Sequence, residues 1–121
     1  MSRDPKLRLE DILEAIDWIE GYVGGLDFGA FEADRKTLDA VVRQFEIIGE
    51  AVKALPEELR ARESAIPWRQ IAGFRDVLAH GYFAVDAFTV WDAATKHLPE
   101  LKDACSRLLV VLAVEPGHEQ G

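Results

Sequence analysis

Cysteine is almost absent from this chain. The single Cys105 can form no internal disulfide and cannot supply a cysteine-based zinc site. Histidine is nearly as scarce, and His80, His97 and His118 show no metal-ligand spacing, so no metal and no other cofactor is expected. No apolar run approaches the ~18 residues that span a bilayer. The opening Met1-Ser2-Arg3-Asp4-Pro5 runs straight into charge, which reads against a secretory signal. These absences give the expectation of a cytoplasmic protein without membrane contact. Glycine-rich phosphate loops are missing too, since Gly24-Gly25 is followed by neither strand nor lysine. Positive charge is in deficit. Fourteen Lys+Arg against 22 Asp+Glu leave a net charge of −8, which disfavours binding along long nucleic acids through many neutralised phosphates.

What is present fits one globular domain. The chain has 121 residues, 49% hydrophobic and 30% charged, and is expected to form a single domain over 1–121 with a loose tail over 115–121. The periodicity is helical nearly throughout. Leu9, Ile12, Ile16, Ile19 and Val23 share one face, and Gly24-Gly25 ends that helix. Leu38, Val41, Phe45, Ile48, Val52 and Leu55 define a longer helix, whose opposite face carries Arg43, Glu46, Glu50 and Lys53. Pro56 stops it and can open a short helix over 57–62. Pro67 starts the next, with Ile71, Phe74 and Leu78 inward and Gly81 closing it. Asp86 caps a helix bearing Phe88, Trp91, Ala94 and Leu98, which Pro99 breaks or kinks before Leu101, Cys105, Leu108 and Leu112 continue the stripe. The expected fold is all-α, an antiparallel bundle of about four to five helices.

Charge is unevenly spread. From Leu59 to Arg75 the chain has Arg60, Arg62, Arg69 and Arg75 against one acid, Glu63. Just beyond lies His80. Asp76 precedes it by one helical turn, where a carboxylate can fix the imidazole's tautomer and favour its charged form, as does the helix end before Gly81. Such a group titrates where a proton donor or acceptor is useful. Arg75 stands about 140° around the axis from His80, so the two do not share a face of an ideal helix. A turn at Gly81 or a second subunit would bring them together. Arg75, His80 and Tyr82 form an Arg-x4-His-x-Tyr pattern, made uncommon by the chain's two tyrosines. The same residues also fit a purely structural helix terminus with a capping histidine. His97 reads as a cap at a helix end, Cys105 as a buried thiol, and Trp18, Trp68 and Trp91 as core or interface anchors.

The run Phe45-Glu46-Ile47-Ile48-Gly49-Glu50-Ala51, then Leu55-Pro56, Ile66 to Arg75 and His80-Gly81-Tyr82-Phe83, and on to Val90-Trp91 and Leu98-Pro99, resembles the HepT-like family of HEPN proteins. The resemblance covers about three-quarters of the chain. Many relatives carry asparagine where this chain has Asp76. The resemblance implies a HEPN-like helical homodimer that cuts RNA without metal, with Arg75 and His80 catalytic and Asp76 in support. It also implies the toxin half of a toxin–antitoxin pair. The partner would be a minimal nucleotidyltransferase of the MntA kind that silences the toxin by AMPylation of Tyr82. The contact candidates for a dimer are Trp68, Phe83 and Trp91. The alternative is a non-catalytic helical module that binds a protein or a nucleotide.

Overall fold

The computed structural model describes residues 4–80 and 86–114, and of Ala79 and His80 the backbone alone. Helix α1 runs from Pro5 to Val23. The Asp4 carboxylate accepts the Lys6 amide at 2.9 Å, and Pro5 opens the first turn, where no amide donor is needed. Its end falls at Gly24, with Gly25 at φ +81°, a conformation that favours glycine. Helix α2 is short, Phe28–Ala33, and Asp27 caps it through the Ala30 amide at 2.8 Å. Helix α3 spans Arg35–Ala54. Asp34 caps it by accepting from the Thr37 amide and hydroxyl, which holds the Asp34 carboxyl below its ordinary value. Helix α4, Glu57–Arg60, passes into a 3-10 turn at Ala61–Glu63, and α5 follows at Trp68–His80.

Helix α6, Ala87–Asp92, is capped by Asp86, whose carboxylate accepts the Phe88 amide at 3.2 Å. It does not end before Pro99. It passes through a π-helical turn at Ala93–His97 directly into α7, Leu98–Val114. Proline lacks an amide and crowds the carbonyl four residues back, which is why a break or a kink is expected at Pro99. The wider turn, in which the Leu98 amide bonds the Ala93 carbonyl, carries the helix past that position instead. His97 is therefore inside a continuous helical run and not a cap at its end. Its imidazole lies 3.6 Å from the Asp92 carboxylate, both side chains being partly solvated.

Helix α3 packs between α1 and α5, and α1 also packs against α7. The core follows the stripes: Leu9, Ile12, Ile16 and Ile19 of α1 meet Val41, Ile48 and Val52 of α3, with Leu101, Cys105 and Leu108 of α7. Cys105 is buried, and burial pushes its thiol up to about 12, so it packs as an apolar side chain. The short α2 contributes Phe31, fully buried with its ring 5.2 Å from that of Trp91. Six residues are too few for a period to register, and the sequence reading places no helix there. The three tryptophans separate. Trp68 is buried and its indole N–H donates to the Arg60 and Glu63 carbonyls, both at 3.0 Å. Trp91 is half-buried, and Trp18 is half-exposed and stacked on Tyr22. Among the described residues there is no strand, and no helix is long and apolar enough to cross a membrane.

A forked ion pair ties the approach to α5 to the last helix. Arg107 donates through Nε and an Nη to the two Glu63 carboxylate oxygens at 2.9 and 2.8 Å, which lowers the Glu63 pKa from its ordinary 4.5. A depressed carboxylate contributes stability that is present above its unfolded pKa and lost as pH falls through the folded one. Glu63→Gln is therefore expected to melt below the wild type at neutral pH. The gap should narrow as pH drops below the ordinary carboxylate range, as followed by thermal melts at stepped pH.

Candidate active site

The site is built from the contact of α3 with α5. At 100° per residue, Ile71, Phe74 and Leu78 face inward from α5, and Arg75 faces α3. What allows the two helices to close there is Gly49, buried on α3. A Cβ at that position would overlap the Arg75 Cβ, and would lie 3.1 Å from its Cγ and 3.5 Å from its Cα. The backbone of α3 thus fills the space beside the arginine stem.

The Arg75 guanidinium is held at both ends. Its Nε is 3.2 Å from the Glu50 carboxylate and its Nη1 is 3.2 Å from the Asp76 carboxylate. Arg75 is one-third exposed, and both acids are more than half exposed. Pairs so solvated are worth about 0–1 kcal/mol each. They aim the fork without locking it, and an incoming phosphate can replace either carboxylate. Glu50, which spacing alone cannot assign, thus reaches Arg75, and among the described residues no ion pair joins Glu46 to Arg75.

The angular gap between Arg75 and His80 changes in meaning with this geometry. The Arg75 stem leaves α5 toward α3, but its head reaches the carboxylate of Asp76, on the side of α5 that position 80 shares by register. The Arg75 guanidinium thus spans from Glu50 of α3 to Asp76 on its own helix. Arg75 and Asp76 are brought together in contact. The backbone of His80 closes α5, while the His80 side chain and Tyr82 lie outside the described residues.

The opposite flank of α5 borders an apolar cleft of about 620 Å³. Gln70, Ile71 and Phe74 line it with Phe45, Ile48 and Leu98, and Asp92 and His97 add polar groups to the lining. It faces away from the Arg69–Asp76 side and shares no residue with the Arg75–Glu50–Asp76 cluster. Among the described residues no group of histidine, cysteine and acidic side chains could hold a metal ion.

The structure defines an all-α domain in which α3 and α5 close on a glycine and hold a partly exposed arginine between two carboxylates. The comparisons narrow it. The family described as "Ribonuclease HepT-like" matches residues 12–108, and the chain belongs to this HepT-like ribonuclease family. It is similar to the "Probable ribonuclease HepT" of Thermococcus cleftensis, 43% identical over 108 residues, 89% of this chain and 98% of that one. It is 41% identical over 107 residues to "Putative RNase TTE0752" of Caldanaerobacter subterraneus, covering 88% and 96% of the two chains. "Putative RNase MJ1216" of Methanocaldococcus jannaschii is 40% identical over 108 residues, 89% of each chain. No solved structure matches the chain. Family and relatives support an RNase acting on RNA.

Proposed function

We propose that the protein is a metal-independent endoribonuclease, the toxin of a toxin–antitoxin pair, acting in the cytoplasm as a homodimer. The observation that carries this reading is the Arg75 guanidinium, aimed by Glu50 and Asp76 beside the end of α5 in a chain of the HepT-like ribonuclease family. RNA can be cut by its own 2′-hydroxyl, so the protein need only move protons and hold charge on phosphorus. Arg75 binds the scissile phosphate and the charge that builds on it. His80 serves as general acid or base. Asp76 positions Arg75 and supports the histidine. Attack by the 2′-oxygen expels the 5′-oxygen of the next nucleotide and leaves a 2′,3′-cyclic phosphate.

Control falls to Tyr82. Transfer of AMP from ATP to its hydroxyl by an MntA-like nucleotidyltransferase, with pyrophosphate leaving, places a bulky anion next to the motif, where its phosphate competes with RNA for Arg75. In the dimer Trp68 cannot serve as a contact, being buried and hydrogen-bonded within its own chain. Trp91 is engaged with Phe28 and Phe31, and Phe83 lies outside the described residues. Val77 on α5, about half exposed, is the better contact candidate.

One preparation tests the reading. Purified protein incubated with single-stranded RNA in EDTA should yield fragments ending in 2′,3′-cyclic phosphate, and cleavage that requires added Mg²⁺ would overturn the mechanism. Light scattering should report a dimer at micromolar concentration. Co-expression with the nucleotidyltransferase should add the mass of AMP at Tyr82 and abolish cleavage; an inhibited complex with unmodified Tyr82 would remove the switch.

A further inference from the structure

Arg69, Gly73 and Asp76 fall on one line along the exposed side of α5, at steps of four and three, and His80 follows four residues on. On the wheel Arg69 and position 80 differ by about 20°, and they are separated by about 16 Å along the axis. Arg69 is exposed and has no ion pair among the described residues, unlike Arg75 and Arg107. Between Arg69 and Asp76 the line carries only Gly73. A Cβ at Gly73 would meet nothing within 4 Å, so the helix surface there is open on its outer side. The apolar cleft lies on the other flank and does not interrupt this path.

We propose that Arg69 is a substrate-positioning residue: it grips an RNA backbone phosphate a few nucleotides from the scissile one, the strand lying along α5 over Gly73. This rests on the ribonuclease reading above. The charge balance argues for such an anchor. At a net charge of −8 the chain repels a polyanion at long range, so affinity must come from a few well-placed arginines. Arg75 is shared between two carboxylates, whereas the Arg69 fork is available for bidentate phosphate contact. Gly73 matters because any side chain there would stand in the strand's path.

The test uses the full chain and a 5′-fluorescent, single-stranded oligoribonucleotide of mixed sequence. Arg69→Ala should raise KM about five- to tenfold with kcat unchanged, and Arg69→Lys should recover part of that loss. Binding is read separately by anisotropy in an inactive His80→Ala background. There, adding Arg69→Ala should lower the slope of log Kd against log salt by about 0.7, the share of one phosphate on a single strand. Gly73→Glu, which has room to fold, should also raise KM. If the wild type cuts RNA and Arg69→Ala leaves both KM and the salt slope unchanged, the anchor is wrong and the ribonuclease reading stands. If the wild type cuts no RNA, both fall together.

Discussion

Arg75→Ala is expected to lower the rate of RNA cleavage by about 10²–10³, and His80→Ala by about 10²–10⁴, with both variants folded. The first figure is the usual loss when one preorganised donor to a developing oxyanion is removed, and the second is the usual worth of a positioned acid or base. Stability should barely move for Arg75→Ala, because the two ion pairs lost are solvated and worth about 0–1 kcal/mol each. Arg75→Lys keeps the charge but not the fork, so it should recover only part of the rate. Single-turnover cleavage beside thermal melts decides the matter. Alanine variants that cut like the wild type would leave the motif a structural helix terminus. An Arg75→Ala chain that unfolds would mean the arginine serves to join α3 to α5.

Most of the fold was legible because its helices are long enough to show a period. The stripes of α1, α3 and α7 read from spacing alone form the core, with Val23 and Leu38 only partly buried at its margin. Periodicity failed where local chemistry dominates. It cannot register the six residues of α2, and at Pro99 it cannot tell a break or kink from the π turn that carries the helix past a missing donor. It also overstates what an aromatic does. Trp68 was readable as an anchor, but which partner it anchors depends on two carbonyls eight and five residues back, which only the folded turn assembles. For the site, Arg75 and Asp76 were visible as a motif, whereas Glu50 was not assignable. It belongs to a different helix, and its approach to Arg75 depends on how closely α3 and α5 pack. The residue that sets that distance has no side chain to announce a role.

That residue yields the sharpest expectation for stability. In an exposed helix interior, Gly→Ala normally stabilises by about 0.5–1 kcal/mol, since alanine loses less backbone entropy on folding. At Gly49 the sign should reverse. The new methyl would overlap the Arg75 Cβ, an atom fixed to the α5 backbone that no rotamer change can move aside. The helices must separate, and overpacking of this kind costs about 1–3 kcal/mol. Gly49→Ala is therefore expected to lose about 1–2 kcal/mol, with a clear drop in melting temperature. Cleavage should fall as well, by up to about 10²-fold, because separating the helices displaces the guanidinium from its aimed position. A second variant isolates the cause. Arg75→Ala retains the Cβ, so Gly49→Ala should destabilise the Arg75→Ala background as much as the wild type. Trimming the site to Arg75→Gly removes the clashing atom, and Gly49→Ala should then be tolerated or stabilising. A Gly49→Ala chain that melts above the wild type would show that α3 and α5 do not depend on that glycine for their closure.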